Sequence, residues 1–442
     1  MLPAASSVPL PVPAPSAPPR FNPWPFVLTL PLMSALPNAA SLGVATIFYK
    51  SLGYSNEFIG YTGALFVPFA LSFLWAPCLD RSGTKRGWQL GLSLALAAAF
   101  AALAGVVACH PATPWPTLAA ITAIAFVGGT AEVSMNGYFL HALDARQQAA
   151  FSGVRVAAIR CGQILATGVL LKLSADHGVK AGDPLAGWTW LFGVLAALFL
   201  GSFAYHAWVL PRPPTDRPVP VSPGLGSYRR AWAEFRSLPG VGAIVAFYLT
   251  YRLGEGLMVR MTAPFLLDAP ARGGLGLSVG DVAIAQGTVG FITSILGGIL
   301  GGWLIKVRGL RRTALPLALC MTLPHAGYLW LALARAPSFA AVQACVAVET
   351  FGYGMGFACM FTMTMVIPRG EYRATLVAIL VALWSAGWLA PTFFSGLIEA
   401  HVGYLRLFAL SMVAALPGIV LICRLPLRQL DAALISQPGA AA

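Results

Sequence analysis

Six ionisable side chains, Glu132, Arg160, Arg252, Glu255, Arg260 and Glu349, stand inside long apolar stretches of this 442-residue sequence. A charge at the centre of a bilayer costs about 2.5 to 3.5 kcal/mol on insertion scales, so residues of this kind mark a site or a buried pair. Arginine offers a planar fork to carboxylates and phosphates. A buried carboxyl with no cation beside it is suited to loading and releasing protons. Anion recognition and proton transfer are therefore the chemistry on offer. With no H-E-x-x-H and no clustered metal ligands, no catalytic residue and no metal site is assigned.

Glu132, in the apolar stretch 116–142, and Arg160, in 150–172, fall at similar depth, so at 1.5 Å per residue they can meet. They form either a switchable pair lining a cavity or a fixed pair joining neighbouring helices. Arg252 and Glu255 are three residues apart and share one helical face. Arg260 lies about two turns farther on, placed to meet an anionic solute or to snorkel outward. Glu349 has no cation on its own stretch and is the first choice for a proton carrier; the alternative is a protonated side chain bonded to a neighbouring helix. His325 is a second proton-coupling candidate, although a lone His is more commonly a satisfied interhelical donor. Trp384, with Tyr353, Phe357 and Trp388, offers rings against which a sugar or aromatic group stacks, or simply packs the core.

The elements that hold these residues are apolar and long. The chain is 58% hydrophobic and 10% charged with mean hydropathy +0.75, where a soluble domain carries roughly 25% charged residues. That excludes a soluble enzyme, a secreted disulfide scaffold and a nucleic-acid binder. The seven cysteines show no C-x-x-C spacing and read as small apolar residues. Apolar stretches at 26–48, 57–79, 88–108, 116–142, 150–172, 188–210, 240–267, 282–305, 313–334, 339–367, 374–398 and 405–424 are helices 1 to 12 in order. The predicted fold is all-α integral membrane, with twelve transmembrane helices in two six-helix repeats. Its parts are a disordered cytoplasmic arm (1–23), an N-terminal half (24–210), a Pro- and Arg-rich cytoplasmic linker (211–238), a C-terminal half (239–424) and a cytoplasmic tail (425–442).

Positive charge sets the expected topology. Of the 24 Lys and Arg outside the stretches or at their ends, 18 lie at the two chain ends and in or beside the even-numbered loops and 6 in or beside the odd-numbered ones. By the positive-inside rule both termini and the linker face the cytoplasm. The net charge of +13 then reflects loops held against an anionic leaflet, not a nucleic-acid partner. A shift of 226 residues superimposes Gly83 and its following basic pair on Gly309 and Arg311-Arg312. Two parallel repeats form a transporter architecture with the solute site between them near the midplane. No Walker P-loop is present, so no cofactor is expected and an ion gradient supplies the energy.

Asp80, Arg81, Gly83, Lys85 and Arg86 resemble the loop signature of the major facilitator superfamily. The segments Phe73 to Arg81, Tyr251 to Glu255, Thr262 to Leu266, and Glu349 with Gly354 and Gly356 are similar to AmpG-type muropeptide permeases, RhtX/FptX-type siderophore permeases and acetyl-coenzyme A transporters. In helix 4, where such permeases tend to carry two acids, this chain has Glu132 and Asn136. The resemblance implies an inner-membrane, proton-coupled importer of a bulky polar or anionic solute. Siderophores and muropeptides come first; acetyl-coenzyme A or another small metabolite is the alternative, and a polytopic membrane transferase is a distant third. Its partners are a small molecule, protons and lipid, and it works as a monomer. Asp80, Arg81, Gly83, Lys85 and Arg86 are expected to act as a conformational latch. In it Asp80 meets the positive end of helix 11 near Ala374 while the cations meet loop acids or lipid head groups.

Overall fold

In a computed structural model the described residues are 22–109, 113–143, 145–218, 225–334, 337–368 and 373–435. The expected N-terminal arm falls almost wholly outside them. Among the described residues nine helices are long and apolar enough to cross a membrane. They include helix 1 (Trp24–Ser51), helix 3 (Lys85–Cys109), helix 4 (Pro114–Ala142), helix 5 (Gly153–Ala181) and helix 6 (Pro184–Val209). Helix 8 (Val279–Arg308), helix 9 (Leu310–Leu333) and helix 10 (Phe339–Val366) follow. The ninth, Ile379–Ile422, joins helices 11 and 12 across a bend at Gly403, where φ is 77° and a residue with a Cβ is strained. The expected helix 2 (56–81) and helix 7 (241–267) are each broken within their length.

The breaks have local causes. Helix 2 carries Pro68 and Pro77, each lacking a backbone N–H, and alternates α turns with 3-10 turns at Thr62–Phe66 and Ser72–Leu74. Helix 7 divides into Val241–Thr250 and Leu253–Leu267, leaving Arg252 at the junction. Helices 1, 5 and 8 contain π-helical turns at Ala40–Val44, Leu165–Leu170 and Ala283–Gly290; in helix 1 the turn follows Pro37. Irregular backbone at membrane depth is tolerated where it lines a cavity or is buried in protein.

The apolar core shows which way the molecule is closed. Around Leu210 and Phe26, and around Phe235, Leu425 and Leu430, two separate clusters belong to the N-terminal and the C-terminal half. These mark the face carrying the linker and both ends of the described chain, the linker face. Toward the opposite, far face a single cluster unites the halves, with Phe48, Tyr49 and Leu170 joined to Met258, Phe265 and Tyr404. Glycines permit this approach. A Cβ on Gly396 in helix 11 would stand 1.7 Å from Asn56 O at the start of helix 2, and one on Gly287 in helix 8 would stand 2.1 Å from Thr167 O in helix 5. The 226-residue shift carries Gly60, which faces Gly396, to within one residue of Gly287, and Gly168 to within two of Gly396. The two contacts are repeat-related.

The linker and tail contain more structure than their composition suggests. Helices form over Leu225–Arg236 and Leu427–Ile435, with Phe235 and Leu430 buried against the C-terminal half. Asp216 in the linker accepts from Lys85 N at 2.6 Å and Arg86 N at 2.9 Å, at the start of helix 3. Asp431 in the tail accepts from Leu310 N at 2.5 Å and Arg311 N at 3.1 Å, at the start of helix 9. Each carboxylate satisfies otherwise unpaired N–H groups and sits at the positive end of a helix.

Candidate functional site

Between the halves lies a cavity of about 340 Å³. Its walls include Arg160 and Gln163 of helix 5, Arg252, Glu255 and Arg260 of helix 7, and Glu349 and Tyr353 of helix 10. Five of the six intramembrane charges named from sequence thus meet in one place, four from the C-terminal half and Arg160 from the other.

The break in helix 7 presents Arg252 sideways. Its Nε donates to Glu255 Oε2 at 2.7 Å, and Trp388 Nε1 donates to Glu255 Oε1 at 3.0 Å, so both carboxylate oxygens are engaged. Around the guanidinium stand Tyr353, Phe357, Trp384 and Trp388, with ring centres 5.9, 5.6, 5.0 and 5.3 Å from its central carbon. Such rings favour a cation over their faces. The pairing read from the three-residue spacing is present, and among the described residues the two amino groups of Arg252 have no hydrogen-bond acceptor. Trp384 backs Arg252 without lining the cavity itself. Glu349 is buried at the cavity wall and has no ion-pair partner among the described residues.

The expected pair of Glu132 and Arg160 does not form. Arg160 Nη1 donates to Gln163 Oε1 at 2.9 Å and turns to the cavity, while Glu132 is exposed on helix 4. Helix 5 instead meets helix 4 through Arg155, which donates to Asn136 Oδ1 at 2.7 Å and lies 4.2 Å from the centre of Phe139. Five residues rotate a side chain about 140° around a helix, so with Arg155 facing helix 4, Arg160 faces elsewhere. Arg260 does not snorkel: it is buried and donates to Leu42 O, Ile59 O and Thr62 Oγ1 on helices 1 and 2. His325 lies outside the cavity, buried between helices 9 and 12 with Nδ1 3.4 Å from Ser411 Oγ.

The residues of the expected latch are placed as follows in the fold. The side chain of Asp80 and residues 369–372 lie outside the described residues, so that half of the expectation has no counterpart here. The Arg86 guanidinium donates to Leu210 O at 3.0 Å and Ala207 O at 2.6 Å, at the end of helix 6. Lys85 is buried with its stem against Gly137, Arg81 is exposed, and Gly83 makes the turn between helices 2 and 3.

A polar network at the far face was not foreseen from the sequence. Lys50 Nζ, at the end of helix 1, lies 2.5 Å from Asp268 Oδ2 at the end of helix 7 and donates to Asn56 Oδ1 at 2.6 Å. Asn56 Nδ2 donates to Glu399 Oε2 at 2.6 Å and to Tyr404 OH at 2.7 Å, and Tyr404 OH donates to Asp268 Oδ2 at 2.5 Å. Lys50 and Asn56 belong to one half, the other three to its partner. The available signal was a lone loop lysine facing acids at the ends of helices 7 and 11. Nearby, Gly276-Leu277-Ser278-Val279-Gly280 spells the G-x-S-x-G of serine hydrolases. Ser278, however, begins helix 8 in a capping box with Asp281, donating to Asp281 Oδ2 at 2.6 Å and accepting from Asp281 N at 3.1 Å.

The model of the Major Facilitator Superfamily matches residues 27–392. The chain belongs to that superfamily. As a major facilitator protein it is a secondary membrane transporter and not an enzyme. It is 27% identical over 408 residues to the anhydromuropeptide permease of Escherichia coli strain K12, covering 90% of this chain and 79% of that one. A Haemophilus influenzae protein described as uncharacterized is 26% identical over 384 residues, covering 83% and 85%. Among solved structures, an inward-facing, unoccupied bacterial homologue of the human lysosomal transporter Spinster aligns with TM-score 0.64 at 15% identity, over 93% of this chain and 95% of that one, a likeness of fold.

Proposed function

We propose that this transporter imports an anionic, sugar-bearing solute of the muropeptide type, driven by protons, with termini and linker in the cytoplasm. The observation that carries the reading is the cavity wall, where Arg160 and Arg252 stand with Tyr353, Trp388 and Glu349, a carboxyl without an ion-pair partner among the described residues. Arg252 and Arg160 offer forks to carboxylates, Tyr353 and Trp388 offer faces to a sugar ring, and Glu349 is the proton carrier. The likeness to the anhydromuropeptide permease supports that solute over a siderophore. With the linker inside, a molecule closed at the far face is inward-facing.

Proteoliposomes with an imposed proton gradient test the reading. Wild type should accumulate labelled anhydromuropeptide. Glu349→Gln should lose accumulation yet retain exchange of labelled for unlabelled solute, whereas Arg252→Ala should lose binding. Wild type that fails to accumulate the solute, or Glu349→Gln that still accumulates it, refutes the corresponding part. Cysteines at Arg217 in the linker and Lys180 in the last turn of helix 5 should label from opposite sides of the membrane.

A further inference from the structure

Arg260 is a buried cation whose partners carry no charge. It projects from helix 7 at 5% exposure, and all three of its acceptors lie on the other half. Nη1 donates to Leu42 O at 2.8 Å, Nε to Ile59 O at 3.3 Å and Nη2 to Thr62 Oγ1 at 2.5 Å. No carboxylate pairs with it among the described residues. The acceptors are products of backbone irregularity: Leu42 lies in the π turn of helix 1, and Ile59 and Thr62 flank the change from α to 3-10 turns in helix 2. The two carbonyls also hold a second donor each, Thr46 Oγ1 at 2.7 Å from Leu42 O and Thr62 Oγ1 at 2.7 Å from Ile59 O. Departure of the guanidinium therefore leaves neither carbonyl orphaned. Arg260 also lines the cavity, within reach of its contents.

We infer that Arg260 is contested between these oxygens of helices 1 and 2 and an anionic group of the solute, so that its transfer from solute to protein closes the far face behind the cargo. The inference rests on the proposed anionic solute. A carboxylate or phosphate offers the guanidinium a full opposite charge and a bidentate geometry that neutral oxygens lack, so the oxygens hold Arg260 only while the cavity lacks an anion. An anion that takes it severs three bonds between the halves. A merely structural arginine gives a different sign: weakening its protein acceptors would leave solute binding unchanged or impaired, whereas competition makes binding tighter.

The test uses the full chain in nanodiscs, its native cysteines replaced, with spin labels at Glu57 on helix 2 and His401 on helix 11 reporting the far-face distance. Wild type should show a short distance that lengthens with anhydromuropeptide and not with neutral N-acetylglucosamine. Arg260→Gln should be long without solute and bind anhydromuropeptide about tenfold more weakly or worse. Thr62→Val removes one acceptor and spares the arginine. It should lengthen the distance in part and bind the solute about threefold more tightly. A short distance in Arg260→Gln, or unchanged or weaker binding by Thr62→Val, overturns the inference. Should Arg260→Gln fail to fold, Thr62→Val decides by both readouts. If wild type neither binds nor takes up anhydromuropeptide, the proposed substrate falls, and the solute-free distances of the two variants still decide whether Arg260 ties the halves.

Discussion

The two faces of this transporter use similar polar chemistry to opposite ends. At the far face the bonds of Lys50 to Asp268 and of Asn56 to Glu399 and Tyr404 run between the halves. At the linker face Asp216 and Asp431 each bond within their own half, fastening linker to helix 3 and tail to helix 9. When the halves rock against each other, bonds between them must break, while bonds within a half travel with it. Far-face substitutions should therefore shift the balance of states, and linker-face substitutions should lower stability without shifting it.

The largest effect is expected where closure is steric. Gly396→Val places a side chain into the backbone at Asn56, so the far face cannot close and transport should fall to background in a protein that still elutes as a folded species. Gly302→Ala, whose Cβ meets nothing within 4 Å, is the matched control and should transport normally. Equal activity of the two variants would break the comparison.

Next comes the ion pair. Asp268→Asn leaves Lys50 buried without its anion, a change worth about 3 kcal/mol or more against the closed state. Far-face cysteines should become reactive from the periplasmic side in this variant. Lys50→Gln combined with Asp268→Asn should recover part of the closure, because the stranded charge is then gone.

The smallest effects belong to the linker face. Asp216→Ala and Asp431→Ala each remove a carboxylate at a helix start, for about 1 kcal/mol of stability apiece, visible as a lower thermal unfolding midpoint in detergent. Because the two sites lie in different halves, their losses should add. Neither should change the far-face distance. A shift in that distance would show that linker and tail take part in the conformational change.

The breaks in helices 2 and 7 explain how much was readable in advance. Pro68 and Pro77 announce an irregular helix 2, since a missing N–H is a property of the residue itself. Nothing in the spacing of helix 7 announces that it parts at Arg252, because that break is supported by Glu255, Trp388 and the rings of helices 10 and 11. The pairing of Arg252 with Glu255 was legible because both stand on one helix. The partner assigned to Arg160 failed because it stands on another.

The sequence by itself determined the membrane class, the order of the apolar stretches along the chain and the presence of charges within them. Each follows from hydropathy and spacing along the chain, which act locally. Only the tertiary structure decided which charges meet, that Lys50 faces Asp268 and Arg260 faces the oxygens of helices 1 and 2, and that the far face is the closed one. Spacing fixes a residue's height on its helix; the neighbour across the gap depends on how every helix is rotated and packed, and no single stretch of sequence contains that information.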